Sequence, residues 1–325
     1  MSEGLERCTT CRAMLDEEDL FCPNCGTEAP AREAASRPMG TLLTTHNFDC
    51  RGCGASMSYD ASAQTLRCPF CGSQQLEARE DTKSWVPDSV VPFVLSRDEA
   101  IARMRQWLQQ GFWRPGDLAT AALVEKMTAV YVPYWVFASQ TYAFWTADTS
   151  QTPPGARGNW YPLAGEHRDQ HRGLLIGASG ALTPAETSAL VPFDLGSAVP
   201  RSQVDLEHVV FEQFRVQRKY ARPLAQAGFE NLVRAACQKY VPGSCRNLKV
   251  NVRLEGLTSD AVFLPIWIAA YRYRDKVFRL VLNGQTGQAT GQAPTSWRKV
   301  VVAVALVALC AALGVAVAAL LAGRR

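Results

Sequence analysis

The chain lacks the short motifs that most often carry catalysis. No G-x-x-x-x-G-K-[ST] loop occurs in its 325 residues, which removes the usual phosphate cradle of an ATP-driven helicase or motor. The G-x-S-x-G nucleophile elbow, the H-E-x-x-H zinc helix and the dinucleotide fingerprint are missing as well. No secretory signal opens the chain, since MSEGLERCTT has no apolar run and soon turns acidic. These absences predict a non-enzymatic protein whose large N-terminal part is not exported.

One stretch lacks charge and strong polarity altogether. Val300 to Ala322 reads VVVAVALVALCAALGVAVAALLA. At 1.5 Å per residue it makes about 34 Å of helix, enough to cross a hydrocarbon core of about 30 Å. Trp297, Arg298 and Lys299 precede it, and Gly323, Arg324 and Arg325 follow. An aromatic residue and basic residues at the two ends are what a spanning helix requires at its interfaces. A core helix of this length would show a polar face. The two basic pairs do not decide orientation. The short tail crosses a membrane far more readily than the long part before Trp297, so residues before the helix are expected in the cytoplasm. The expectation is a single-pass cell-membrane protein held by its C-terminal tail.

Eight of the 11 cysteines form four C-x-x-C pairs. Cys8, Cys11, Cys22 and Cys25 make one cluster; Cys50, Cys53, Cys68 and Cys71 make the second. Each C-x-x-C puts two thiolates on one knuckle, and two knuckles together give the tetrahedral sulfur site that zinc prefers. Gly26, Gly54 and Gly72 follow second cysteines, where the chain must turn with little room, and Pro23 and Pro69 lie inside knuckles. Two structural zinc ions are expected; an iron–sulfur centre or redox dithiols are the alternatives. With four protein thiolates per ion, no position is open for water, so the metal is read as structural. Such modules have little core, and the metal supplies much of their folding energy. Cys237, Cys245 and Cys310 read as small apolar packing, and His46 as a surface residue. Cysteines in this pattern suit a reducing compartment.

Charge is divided unevenly. Residues 1–80 hold seven Arg and twelve Asp or Glu, a net −5, whereas residues 81–299 have a net +7. An acidic ribbon module suits a phosphate backbone poorly, because affinity for nucleic acid comes from Lys and Arg displacing counterions. A basic membrane-proximal part suits an anionic leaflet.

The chain divides into zinc ribbon 1 (1–28), a linker rich in Ala, Pro and charge (29–44), zinc ribbon 2 (45–80), an α+β domain (81–296) and the anchor (297–325). Within the α+β domain, Ser96 and Glu99 form a capping box ahead of Ile101, Met104, Trp107 and Leu108, a helix that Gly111 ends. A second helix is predicted from about Asp117 to Met127. The aromatic and β-branched run from Tyr131 to Trp145 reads as strand. A similar order recurs: Val191-Pro192-Phe193 echoes Val91-Pro92-Phe93, helices are predicted over 206–219 and 224–240, and Phe263-Leu264-Pro265-Ile266-Trp267 echoes Val132-Pro133-Tyr134-Trp135. Tyr271 to Tyr273 and Val277 to Leu282 read as strands paired around an Arg-Asp-Lys turn, followed by Asn283-Gly284 turn chemistry. Two related halves, about 85–150 and 185–295, are expected to share an antiparallel sheet. Residues 149–175 read as a long polar loop. Glu166, His167 and His171 in it offer a metal or acid/base site on one reading and an exposed surface on the other. The second is preferred, because two His at i, i+4 bind metal best on a helix.

Cys68-Pro69-Phe70-Cys71-Gly72, Val91-Pro92-Phe93, the Trp107 helix, Tyr131-Val132-Pro133-Tyr134-Trp135, Leu264-Pro265-Ile266-Trp267 and Asn283-Gly284-Gln285-Thr286-Gly287 together resemble a bacterial family of transcription-factor-IIB-type zinc-ribbon proteins. Its members are often labelled primosomal protein N-prime or superfamily II helicase-like. The resemblance covers most of residues 45–295. It implies zinc on Cys50, Cys53, Cys68 and Cys71 and no established catalysis; the helicase label follows the knuckles, since the ATPase motifs are missing. The extra N-terminal ribbon and the C-terminal anchor resemble membrane-associated versions. The reading is a tail-anchored adaptor that binds protein partners at the membrane. The alternative is a nucleic-acid-binding ribbon protein linked to replication or transcription.

Overall fold

A computed structural model describes residues 8–10, 40–59, 67–87, 89–204, 210–274 and 276–322. Two very long strands dominate it: β5 (Leu123–Thr149) and β9 (Cys245–Tyr273), paired antiparallel from Leu123↔Arg272 to Thr149↔Cys245. Each turns back into a hairpin, β5 with β6 (Tyr161–Gly177) and β9 with β10 (Lys276–Asn283). Two short strands lie parallel to this pair, β4 (Ser89–Val90) along β9 and β8 (Val210–Glu212) along β5. The short β7 (Val199–Pro200) pairs with β4, and β11 (Ala289–Gly291) closes one edge against β10. The mixed α+β architecture with an antiparallel-rich sheet agrees with the sequence reading.

Burial along β5 follows from what covers it. From Trp135 to Thr149 the odd-numbered residues are buried while Gln140, Phe144 and Thr146 are exposed, the period-two signature of a sheet covered on one face. Helix α4 (Arg218–Gln238) provides that cover. Its Ala221, Ala225, Phe229, Val233 and Cys237, spaced at i+4, form one buried stripe. At the centre, Val130 to Trp135 is buried on both faces. Helix α1 (Arg97–Gln109) covers the opposite end, setting Ala100, Met104 and Leu108 against Ala269, Tyr271 and Leu280. The Ser96–Glu99 capping box is formed in full.

The internal repeat is a pseudo-two-fold in space. Val132 of β5 lies opposite Leu264 of β9, so the two echoed segments pair with each other at the sheet centre. The Trp135 indole donates to the Val216 carbonyl at 2.8 Å, just before the first turn of α4. The Trp267 indole donates to the Leu95 carbonyl at 3.2 Å, just before the first turn of α1. Ala178 N donates to Pro133 O at 2.9 Å, and Gly284 N to Pro265 O at 2.8 Å. Phe93 packs on Tyr131 and Trp267, as Phe214 packs on Phe263 and Trp135.

The register of the short parallel strands corrects one echo. The spatial counterpart of Val91-Pro92-Phe93 is Glu212-Gln213-Phe214, not Val191-Pro192-Phe193, which instead sends Phe193 against Tyr134. Other expectations also change. The second helix is one turn, α2 (Leu118–Ala121), because residues from Leu123 onward are taken into the β5–β9 ladder. Of the helix predicted over 206–219, residues 206–209 lie outside the described residues and only Arg218 and Lys219 are helical, in α4; Val210-Phe211-Glu212 is β8, whose partners Val130 and Tyr131 lie some 80 residues away in sequence. The polar loop shrinks to about ten residues, since Tyr161–Gly177 alternates as strand against β5. Strand β1 (Gly40–Cys50) begins inside the segment read as linker.

Candidate metal centre

The ribbon is a three-stranded antiparallel sheet with β1 in the middle, between β2 (Ser56–Tyr59) and β3 (Leu76–Pro87). Its two knuckles are built alike. Cys50 N donates to Ala55 O and Gly54 N to Cys50 O; Cys68 N donates to Ser73 O and Gly72 N to Cys68 O, all at 2.8–2.9 Å. Gly54 and Gly72 stand at φ +74° and +75°, the left-handed region that tolerates a side chain badly. Gly52 answers a different need: a Cβ there would stand 3.3 Å from the Cys71 sulfur.

This backbone converges four thiols. Cys50 and Cys71 Sγ are 3.5 Å apart, Cys53 and Cys68 Sγ 3.6 Å, and all four sulfurs lie within 4.8 Å of one another. A tetrahedron with zinc–sulfur bonds of about 2.3 Å has edges of about 3.8 Å, so the set fits a zinc ion. Cys50 and Cys68 are buried and Cys71 reaches the surface. Hydrogen bonding from the Cys68 thiol pulls Cys53 down to about 5, and the same pairing, with burial, pushes Cys68 up. Burial raises Cys71 to about 11. One thiolate thus forms readily, and a divalent ion is what would ionise the rest. The cluster can bind zinc as a closed, four-sulfur site.

The site is seated on the sheet rather than hung from it. Ala55, Met57, Cys68 and Phe70 share a core cluster with Val130, Val132, Tyr134, Leu264 and Ile266. Strand β2 extends the sheet by pairing Met57 with Glu212 and Ser58 with Phe211 of β8, the place that β7 takes beside β4 in the other half. Arg279 of β10 reaches the Phe70 carbonyl at 3.4 Å and the Ala181 carbonyl at 3.3 Å and pairs with Glu186 of α3 (Pro184–Ala189). One guanidinium therefore ties a knuckle to two elements of the α+β part.

Glu212 is the residue that sequence reasoning missed. It occupies the position of Val91 in the other half, yet it is fully buried. Its Oε1 accepts from Gly180 N at 2.8 Å and Ala181 N at 3.0 Å, and its Oε2 has no hydrogen-bond partner among the described residues. Burial outweighs these bonds and pushes the carboxyl up to about 7. The unfolded chain releases that proton near 4.5, so the folded state holds more protons between the two values. Stability should fall as pH rises from 4.5 to 7 and level off above, a swing of about 3 kcal/mol at most. Glu212→Gln should remove this slope while keeping an acceptor for Gly180 and Ala181, whereas Glu212→Val should destabilise at every pH by stranding two amides. Urea unfolding of the three proteins across that range checks it; parallel slopes for wild type and Glu212→Gln would refute the assignment.

The remaining expected site residues do not converge. His167 and His171 lie four apart on β6, roughly 13 Å along a strand. His167 Nδ1 meets the Tyr240 hydroxyl at 3.1 Å, and His171 packs on Phe229 with Asp169 at 3.8 Å. Glu166 is exposed and pairs with Arg168 at 3.8 Å. Among the described residues the Cys50–Cys53–Cys68–Cys71 set is the one metal-donor group found. Of the first cluster, Cys8 is buried, with its sulfur 3.4 Å from Thr10 N. Cys11, Cys22 and Cys25 lie outside the described residues. Cys237 packs in the α4 stripe, Cys245 opens β9 half-buried, and Cys310 is exposed.

Cys310 belongs to α5 (Trp297–Ala322), the one helix among the described residues long and apolar enough to cross a membrane. No part of its Trp297–Gly314 segment is buried against the rest of the chain. Val301, Val304, Leu306, Val307 and Leu309 are all exposed.

No family model matches the chain, and no solved structure matches it. It is similar to "Uncharacterized protein YdjG" of Bacillus subtilis (strain 168), 21% identical over 314 residues that span 78% of this chain and 92% of the relative. The four-cysteine cluster and the single apolar helix fit a membrane-anchored zinc-binding protein.

Proposed function

We propose that the chain is a non-enzymatic adaptor, held in the cell membrane by α5 with its folded part in the cytoplasm, that presents its zinc ribbons to protein partners. The observation that carries this reading is the closed thiol set. Four protein sulfurs would fill the shell of a tetrahedral ion and leave no place for a reacting water, and the ribbon around them packs on the sheet through Ala55, Met57 and Phe70. Two structural zincs, one per cluster, are part of the proposal. The edge strand β6 keeps its outer side charged with Glu166, Arg168 and Arg172, which suits a surface that must stay free of unwanted strand pairing.

The test is a cross-linked pull-down of the tagged full chain from membranes, beside the Cys22→Ser/Cys68→Ser double variant, read by mass spectrometry. A protein partner lost with the ribbons supports the adaptor. Recovery that nuclease abolishes would put nucleic acid in its place, and identical partner sets from both proteins would remove the ribbons from the binding role.

A further inference from the structure

The turn after α1 presents two large aromatics to solvent. Phe112 is 71% and Trp113 48% exposed, and they stack edge to face at 5.0 Å. Arg114, next in sequence, turns inward, laying its guanidinium 3.6 Å over the Trp107 ring and bonding the Trp107 carbonyl. Gly111, at φ +106°, permits the reversal. The turn is therefore pinned from inside with its apolar pair facing out.

Its position is set by the anchor helix. Ser296 N donates to Trp113 O at 2.7 Å, and Lys299 Nζ donates to Arg114 O at 2.8 Å while standing 5.9 Å from the Phe112 ring. The aromatic pair thus sits level with the first turn of α5, beside Trp297, itself 76% exposed. On the same root a groove of about 900 Å³ is lined by Arg274, Lys276 and Arg298, with Asp117 engaged by the Tyr273 hydroxyl. Aromatics at headgroup depth with basic groups around them are what a lipid interface selects.

The geometry points to Phe112 and Trp113 as a second membrane contact, a loop dipped into the interface of an anionic leaflet beside the root of α5. This rests on the reading of α5 as a membrane anchor. With two separated contacts the folded part cannot swivel freely about a single helix, so the bilayer fixes its tilt. The occupant is lipid, argued from continuity with the helix and from the basic groove.

Full chains carrying Phe112→p-benzoylphenylalanine, Leu306→p-benzoylphenylalanine or Leu232→p-benzoylphenylalanine would be reconstituted in vesicles of equal phosphatidylcholine and phosphatidylglycerol, irradiated, and read by intact mass. Lipid adducts at 112 and 306 and none at 232, on the outer side of α4, are expected. Adducts at 306 but none at 112 would overturn the loop contact and leave the anchor. Adducts at neither position would sink the anchor reading with it. Cross-links from 112 to protein instead of lipid would also overturn the proposal.

Discussion

Cys68→Ser is expected to cost the chain one zinc ion and to lift the ribbon from the sheet. Cys68 is buried, and its sulfur, one of the four donors, lies 3.6 Å from that of Cys53. A hydroxyl in its place is a poor ligand for a soft tetrahedral site. Metal contributes roughly 10–16 kcal/mol to the folding of isolated zinc modules. Here part of the structure has other support, because β2 pairs with β8 and Phe70 packs among Val130, Val132 and Leu264. A global loss above about 3 kcal/mol is nonetheless expected, since the knuckle that positions Phe70 would no longer be held and a core cavity would open. Metal analysis should show one equivalent fewer than wild type, and hydrogen exchange should rise through Cys50–Tyr59. Cys310→Ser, in the apolar helix, should change neither. An unchanged zinc content in Cys68→Ser would exclude this cluster as a site.

Removal of residues 298–325 is expected to release the protein from membranes almost completely. The segment Val300–Ala322 contains five Leu and seven Val. At about 0.3–0.6 kcal/mol each on insertion, these alone supply roughly 5 kcal/mol, a shift of about three to four orders of magnitude in partition. Alkaline carbonate extraction reads it directly: wild type stays in the pellet and the truncated chain moves to the supernatant. The truncated chain should keep its zinc, because no described side chain of α5 enters the core cluster around the cysteines. Cys68→Ser should stay in the pellet. Metal and membrane are thus separable by experiment. A truncated chain that still sediments with membranes would end the anchoring proposal.

The knuckles of the Cys50–Cys53–Cys68–Cys71 cluster and the apolar helix were legible in the sequence because their causes are local. A C-x-x-C-G needs only five residues to define its turn, and a spanning helix is a matter of composition over one unbroken stretch. The capping box of α1 is legible for the same reason. Strands β6 and β8 were not. The run Glu166 to Arg172 is polar at every position, and only its pairing with β5 makes it a strand; Val210-Phe211-Glu212 depends on Val130 and Tyr131 in the same way. The repeat was half legible. Val132-Pro133-Tyr134-Trp135 and Leu264-Pro265-Ile266-Trp267 keep their Pro and Trp because both halves use the proline carbonyl and the indole in the same hydrogen bonds. Its other part was masked where Glu212 stands for Val91, a carboxyl that local pattern reads as surface.

The β5–β9 ladder has a mechanical consequence. A strand of 27 residues has a contour of roughly 90 Å, bends aside. One end of the ladder, Leu123↔Arg272, lies by the root of α5, and the other, Thr149↔Cys245, is the far tip. The pair is a ruler. Whatever grips the tip is held at a set standoff from the root, and a load applied there falls on a ladder of some two dozen residue pairs together instead of on one. Cutting two residues out of each strand, which keeps the inward-facing alternation, would shorten that standoff in steps of about 6.6 Å, leaving the metal and the anchor as they are.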